Sequence, residues 1–137
     1  MLNLTKTQYM LFGTNKRLIN SHMKLVINDH VLERVSKYKY LGVWLDENLT
    51  WQKQVDETSK KISSRLALLG RLRKYLTVRS SKLLANSLIL PYLDYCSNAW
   101  TNCAKYLKDV LVKQHKRMAR LVLKVNYNTP TIEVLRK

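Results

Sequence analysis

The sequence has few of the residues that interrupt or cross-link a chain: three glycines, two prolines and two cysteines among 137 residues. Cys96 and Cys103 form neither a CxxC pair nor a zinc pattern with a histidine, so we expect both to be small core residues. No apolar run is long enough to cross a membrane, and the first residues lack the apolar stretch of a signal peptide. The sequence therefore predicts an intracellular protein, nuclear or cytoplasmic, with no membrane partner.

Catalytic patterns are missing as well. The nine carboxylates include no Asp-Asp turn between apolar strands that would hold two metal ions, and His22, His30 and His115 are scattered. The chain has no Gly-rich phosphate loop, no HExxH and no GxSxG. We therefore expect no metal site, no cofactor and no autonomous active site in this chain.

Acidic residues are scarce, whereas basic residues are abundant. The net charge is +16, and it is uneven: residues 1–50 carry seven Lys or Arg against four Asp or Glu (+3), and residues 51–137 carry 18 against five (+13). A basic region of this kind favours a polyanionic partner, nucleic acid first. An anionic membrane surface and a merely solvated surface are the alternatives.

The first fifty residues have the period of two that is typical of strands. A short apolar strand is predicted over residues 7–13, followed by a loop over 14–21. Two alternating runs then flank Asn28-Asp29, which favours a tight hairpin turn. The runs contain Met23, Leu25 and Ile27, then Val31 and Val35. Together these segments predict a small antiparallel β unit.

The stretch Tyr38–Asp46 is predicted to be a half-buried strand with two faces. One face is formed by Leu41, Val43 and Leu45, and the other by Tyr38, Tyr40 and Trp44. Gly42 interrupts the aromatic face. A glycine within a strand indicates either an ordinary bulge or a place where another backbone comes close.

From Trp51 the apolar period becomes helical, with Thr50 as a candidate N-cap. Helices are predicted from Trp51 to about Tyr75, from Val78 to Leu90, from Pro91 to near Trp100 in short turns, and from Ala104 to Val125. Their expected core residues are Val55, Ile62, Leu66, Leu69, Leu83, Leu84, Leu88, Ile89, Leu107, Val110, Leu111, Met118, Leu121, Val122 and Val125. The fold class is therefore α+β, a small antiparallel β unit followed by a basic helical bundle.

The last helix has an apolar face and an opposite basic face, formed by Lys113, Lys116, Arg117, Arg120 and Lys124. A basic amphipathic helix most often packs its apolar face on a core and exposes its charges to solvent. Contact with phosphates is the alternative that the charge of the whole region favours.

Two long segments of the sequence have residue patterns that are specific enough to indicate a protein family. They are Tyr38-Lys39-Tyr40-Leu41-Gly42-Val43-x-Leu45-Asp46-x-x-Leu49-x-Trp51 and Asn86-Ser87-Leu88-Ile89-Leu90-Pro91-x-Leu93-Asp94-Tyr95-Cys96, with Trp100 after it. Shorter ones are Asn3-x-x-Lys6-Thr7-x-x-Met10-x-Phe12, Lys61-Ile62 with Leu66, Leu69, Arg71 and Arg73, and Thr129-Pro130-x-x-Glu133-x-Leu135. In this order they resemble the end of the reverse transcriptase of non-LTR (LINE-type, jockey-like) retrotransposons. The resemblance covers essentially the whole chain; Gln54 departs from it, since the family often has histidine there.

This resemblance implies a domain organisation and a function. Residues 1–50 would be the C-terminal edge of the polymerase palm, residues 51–125 the helical thumb, and residues 126–137 a linker or the start of the next segment. Tyr40, Gly42 and Trp44 would belong to the primer-grip hairpin, whose backbone lies against the growing strand. The basic residues expected to contact nucleic acid are Lys60, Lys61, Arg65, Arg71, Arg73, Lys74, Lys113, Lys116, Arg117, Arg120 and Lys124.

The resemblance also implies a role for Lys6 and the place of the catalytic segments. Lys6 would be the palm lysine near the leaving phosphate, or simply a terminal lysine. The fingers and the Asp-Asp turn, which in the full-length enzyme would use Mg²⁺, are expected upstream of this chain. We therefore expect a fragment that binds an RNA–DNA or DNA duplex without sequence preference and that is inactive alone. The alternatives are a non-enzymatic basic nucleic-acid-binding module and a helical protein-interaction module.

Overall fold

The computed structural model describes residues 3–19, 23–126 and 128–130. The chain divides into two compact units, Met1–Gln54 and Val55–Lys137. Of the predicted linker over residues 126–137, residue 127 and residues 131–137 lie outside the described residues. The mixed α+β class is confirmed, because both strands and helices form in the described chain.

Short elements build the first unit. They are a 3-10 helix at Leu4–Lys6, β1 (Gln8–Tyr9), α1 (Asn15–Ile19), β2 (Val26–Ile27), β3 (His30–Val31), β4 (Glu33–Arg34), β5 (Lys37–Tyr40) and β6 (Val43–Asp46). The strands pair two by two: β2 with β3 and β5 with β6 antiparallel, but β1 with β4 parallel. The predicted antiparallel unit is thus confirmed for two pairs and wrong for the first strand.

The turn between β2 and β3 agrees with its sequence. Asn28 and Asp29 have φ angles of 48° and 61°, and Ile27 pairs with His30 across them. Positive φ at both turn residues defines the two-residue hairpin turn of type I′, which Asn and Asp tolerate well. The predicted tight turn is therefore confirmed.

The predicted loop over residues 14–21 is wrong in its described part, because Asn15–Ile19 forms α1. Leu18 explains the difference: its side chain is buried, and it lies 3.6 Å from the position that a Cβ would take on Gly13. Burial of one apolar side chain thus stabilises a helical turn in a stretch whose composition is otherwise polar. Residues 20–22 lie outside the described residues.

The stretch Tyr38–Asp46 is a hairpin, which corrects the predicted single strand. Tyr40 pairs with Val43, so Leu41 and Gly42 form the whole turn between β5 and β6. Their φ angles are 45° and 86°, again the type I′ arrangement. Gly42 is therefore a turn glycine and not a bulge, and the side chain of Leu41 is 74% exposed at the tip. The predicted two faces are wrong as well, because Tyr38 pairs with Leu45 and Tyr40 with Val43, which places these rings on the face of Val43 and Leu45 and leaves Trp44 on the other.

Helices dominate the rest of the chain. They are α2 (Gln52–Leu72), α3 (Val78–Leu88), α4 (Leu90–Asp94), α5 (Ser97–Trp100) and α6 (Lys105–Val122). The predicted helices are confirmed, although the last helix and the first one end three residues earlier than expected. No helix among the described residues combines the length and the apolar character that are needed to span a bilayer.

The core of the second unit follows the predicted helical stripes, with exceptions. The buried aliphatic side chains that the stripes predicted are Val55, Ile62, Leu66, Leu69, Ile89, Leu107, Leu111, Met118 and Val122. Leu83, Leu88 and Val110 are exposed instead, so those expectations are wrong. On α3 the buried positions are Ser81 and Ala85, because α3 turns its small side chains toward the helices it packs against. Cys103 is buried as expected, whereas Cys96 is exposed.

Candidate nucleic-acid interface

The tip of the β5–β6 hairpin presents backbone and apolar side chains to solvent. Tyr40 is 60% exposed, and Leu41 and Gly42 beside it are exposed as well. A non-glycine residue in the left-handed region costs roughly 1 to 2 kcal/mol relative to the right-handed one. Leu41 adopts that conformation with its side chain in solvent, so burial of its side chain within the unit does not compensate the strain.

One face of the hairpin borders an open aromatic cleft of about 350 Å³. Its lining includes Tyr9, Phe12, Tyr38, Tyr40 and Leu45. The hydroxyl of Tyr9 donates to the carbonyl of Met23 at 2.6 Å, which fixes that ring at the edge of the cleft. Exposed aromatic rings of this kind are suitable for stacking against nucleobases without sequence preference.

Trp44, on the other face, is held by the start of α2. Its backbone N–H donates to Oε1 of Gln54 at 3.0 Å, and Nζ of Lys53 lies 5.3 Å from the centre of its ring. Gln54 is only 6% exposed. The side chain of Gln54 therefore has a structural role, which the sequence alone had left open.

Asp46 joins the end of β6 to the start of α2, and sequence reasoning missed it. Its Oδ1 accepts the N–H groups of Asn48 and Thr50 at 3.2 and 3.0 Å, and its Oδ2 accepts the Thr50 hydroxyl and the Trp51 N–H at 3.0 and 3.1 Å. Thr50 also accepts a long hydrogen bond of 3.4 Å from the Gln52 N–H. However, α2 begins only at Gln52 and Trp51 has a φ angle of 65°, so Thr50 does not occupy the predicted N-cap position next to the helix. An Asp followed by two polar residues shortly before a helix is the sequence signal that could have indicated this turn.

These hydrogen bonds set the ionisation of Asp46. Burial raises the pKa of its carboxyl group, but the hydrogen bonds donated by Thr50, Trp51 and Asn48 outweigh that effect. The net result is a pKa below the ordinary value of 3.8. The carboxylate therefore stays charged and keeps accepting at neutral pH.

Three of the four α2 cations that were predicted to contact nucleic acid lie between residues 60 and 65. Lys60 is exposed and forms an ion pair of 3.3 Å with Glu57. Lys61 and Arg65 both face the ring of Tyr92, with Nζ 5.7 Å and Cζ 4.4 Å from its centre. Arg65 also donates to the Tyr92 hydroxyl at 2.6 Å and to the Lys61 carbonyl at 3.1 Å. The structure thus brings Lys61 and Arg65 together and keeps Arg65 partly buried.

A polar clip holds α6 against α2. Nε2 of Gln114 donates to the carbonyl and the hydroxyl of Ser59 at 3.0 and 2.7 Å and lies 2.9 Å from the hydroxyl of Ser63. The basic residues on either side of Gln114 in the sequence, Lys113 and Arg117, are both exposed. The clip fixes the rotation of α6, so these two cations remain in solvent.

Two predicted arginines tie down the chain that follows α6. Nη2 of Arg73 donates to the Val125 carbonyl at 3.1 Å, and the guanidinium of Arg120 donates to the Thr129 carbonyl at 3.3 and 3.2 Å. These contacts are structural, and they leave fewer N–H donors of each guanidinium for a ligand. Sequence periodicity does not separate such arginines from solvent-exposed ones.

Lys124 ends α6 in the left-handed conformation, with a φ angle of 56°. The N–H of Val125 donates to the Arg120 carbonyl at 3.2 Å, and the N–H of Lys124 to the Leu121 carbonyl at 3.4 Å. This pair of bonds is the Schellman motif, in which glycine is the usual residue. Lys124 therefore combines a backbone role with an exposed cation.

The remaining predicted cations are distributed over the unit surfaces. Arg71 and Lys74 are exposed, with Nζ of Lys74 lying 4.8 Å from the ring centre of Tyr75; Lys116 is half-buried; Lys6 is exposed at the end of the 3-10 helix. In the part of the chain that the structure describes, no three His, Cys, Asp or Glu side chains lie together as a metal-binding group. The predicted cations and the rings beside them offer positive charge and aromatic surface.

Comparison of the chain with models of protein families, with curated proteins and with solved structures finds no match.

Proposed function

We propose that this chain forms the primer-grip hairpin and the thumb of a non-LTR retrotransposon reverse transcriptase, and that it contributes binding of the template–primer duplex. The observation that carries the proposal is the β5–β6 hairpin. The phrase Tyr40-Leu41-Gly42-Val43, on which the resemblance depends most, is a two-residue turn with exposed backbone. A primer grip needs such a turn, because the backbone must approach the strand end closely.

The distribution of charge supports the same proposal. Lys60, Lys61, Lys113 and Arg117 expose cations on α2 and α6, and only Lys60 has a carboxylate partner among the ion pairs of the described residues. Phosphate contacts from such residues position a duplex and carry no sequence information. Each contact releases counterions, so affinity should fall steeply as salt rises.

Titration of a labelled RNA–DNA hybrid by fluorescence anisotropy, at several salt concentrations, tests the binding. We expect a linear fall of log K with log salt, with a slope that decreases by about 0.9 for each phosphate contact removed. The variant Lys113→Gln/Arg117→Gln should reduce this slope, whereas Lys105→Gln/Lys108→Gln removes the same charge from the same helix and should reduce it less. Absence of binding at low salt, or equal effects of the two variants, would count against the proposed interface.

The end of the primer distinguishes a primer grip from a general basic module. A primer grip should bind a duplex with a recessed 3′ end more tightly than a blunt duplex of equal length. Gly42→Val places a side chain at the tip and strains the turn, because the φ angle of Gly42 is 86°. It should therefore abolish this preference, whereas the affinity for blunt duplex, which the cations of α2 and α6 provide, should remain. Equal affinity of the native chain for both duplexes would favour the non-enzymatic nucleic-acid-binding module.

The catalytic part of the proposal has a separate test. The sequence contains no Asp-Asp pair, and two-metal phosphoryl transfer depends on such carboxylates. We expect no product from this chain alone in a primer-extension assay with magnesium and deoxynucleotides. Any extension above that of a buffer control would contradict this part of the proposal without affecting the binding part.

A further inference from the structure

An apolar groove of about 150 Å³ lies between α2 and α3, within the second unit. Its lining consists of Leu68, Leu69, Leu72, Leu84, Leu88 and Ile89, with Arg65 at one end. Leu69 and Ile89 are buried and form the floor, whereas Leu68, Leu72 and Leu88 are between 36% and 41% exposed. We call this surface the α2–α3 groove.

Among the described residues, no carboxylate forms an ion pair with the cations at the Arg65 end of the groove. The acceptors of the Arg65 guanidinium are the Tyr92 hydroxyl and the Lys61 carbonyl, both uncharged. Lys61 also lies near the ring of Tyr92, so two cations lie close to one aromatic ring. A carboxylate delivered to this end would gain the attraction of both cations in a partly desolvated place.

The dimensions and the chemistry of the groove favour a helical occupant. From Arg65 to Leu72 the helix advances seven residues, about 10.5 Å at 1.5 Å per residue. A bound helix covers the same length between its residues i and i+7, and its side chains at i, i+3 and i+7 lie on one face. Nucleic acid does not suit this surface, because phosphates would lose hydration against an aliphatic floor.

We propose that the α2–α3 groove binds an amphipathic helix of an acidic protein partner. Leucine-like side chains of the partner at i, i+3 and i+7 lie between the exposed leucines of α2 and α3. A carboxylate one turn beyond them meets Arg65 and Lys61. The excess of 18 basic over five acidic residues in residues 51–137 attracts acidic partners to this part of the chain and raises their rate of association.

The test uses the full chain and a fluorescein-labelled helical peptide with leucines at i, i+3 and i+7 and glutamate one turn beyond. We expect saturable binding by anisotropy. Leu88→Gln removes one wall of the groove and should weaken the peptide affinity at least about tenfold. Leu83→Gln is the matched control, because Leu83 lies on the same helix, is 70% exposed and does not line the groove; it should leave the affinity unchanged.

The charged end is tested separately. Replacing the glutamate of the peptide by glutamine should weaken its binding to the native chain. The same replacement should change the affinity of the peptide for the Arg65→Gln variant much less. Circular dichroism of each variant establishes that the helices are retained, and hybrid binding by Leu88→Gln should equal that of the native chain. This last measurement separates failure of the groove from failure of duplex binding.

Several outcomes would overturn the inference. They are no saturable binding of the peptide, and equal losses of affinity for Leu83→Gln and Leu88→Gln. Self-association of the native chain in sedimentation that Leu88→Gln abolishes would make the occupant a second copy of the chain, and it would equally contradict an acidic partner helix.

Discussion

The backbone N–H of Trp44 and the side-chain amide of Gln54 are joined by a hydrogen bond of 3.0 Å, so the second strand of the hairpin is tied to the first turn of α2. Removing the acceptor leaves a partly buried N–H without its partner. We expect Gln54→Met, which keeps the length of the side chain, to lower the free energy of unfolding by about 1 to 3 kcal/mol. Exchange of the Trp44 amide hydrogen, followed by NMR, should become faster in this variant.

Gln54→Glu is the control for that prediction, because it keeps an oxygen that can accept the same hydrogen bond. Its Trp44 amide should exchange more slowly than that of Gln54→Met. Equal exchange in both variants would show that the hydrogen bond does not stabilise the strand.

Leu41 has a positive φ angle in a turn that favours asparagine. We expect Leu41→Asn to raise the free energy of unfolding of the hairpin by about 0.5 to 1 kcal/mol. If the tip contacts a primer, the same change should weaken hybrid binding, so stability and binding would move in opposite directions. Leu41→Val, whose β-branched side chain tolerates this conformation poorly, should destabilise the hairpin; the reverse order of the two variants would contradict the turn.

Asp46 should make stability depend on pH in the acid range. Its pKa is lower in the folded chain than its ordinary value of 3.8. The stabilisation is therefore complete above the pKa of the unfolded chain and is lost as the pH falls through the folded one. Asp46→Asn should cost about 1 to 3 kcal/mol near neutral pH, and the difference from the native chain should narrow below about pH 4. Urea unfolding at several pH values measures it; a difference that stays constant with pH would contradict the role of the charge.

The side-chain amide of Gln114 has one satisfied and one unsatisfied end. Its Nε2 makes three contacts to Ser59 and Ser63, but its Oε1 is buried and has no hydrogen-bond partner among the described residues. Gln114→Met loses the contacts and also removes the unpaired oxygen, so the two effects oppose each other. We expect a change in unfolding free energy of less than about 1 kcal/mol by urea titration.

Gln114→Ala serves as the comparison, because it removes the same polar groups and also leaves a cavity between the helices. It should be clearly more destabilising than Gln114→Met. A loss of several kcal/mol in Gln114→Met would mean that the clip itself is a main support of the bundle.

Periodicity predicted the long helices and their central core, because the apolar residues of each helix repeat on one stripe, such as Ile62 and Leu66 on α2 and Leu107 and Leu111 on α6. It failed for Leu83 and Leu88, because α3 has small residues on one face and leucines on another, and packing selected the small ones. It also failed for Leu41 and Gly42, because alternation continues unchanged through a two-residue turn. Arg73 and Arg120 donate to the backbone carbonyls of Val125 and Thr129, which follow α6. The apolar periodicity of the helices carries no information on such contacts, so the sequence did not predict them.

Asp46 and Gln54 also have a consequence for the order in which the chain folds. The pairing of Lys37 with Asp46 and the bond between Trp44 and Gln54 close short loops along the sequence. Short loops cost little entropy to close, and contacts of low sequence separation form early. We therefore expect residues 37–54 to assemble as one local nucleus during synthesis, while α6 is still being added to the chain.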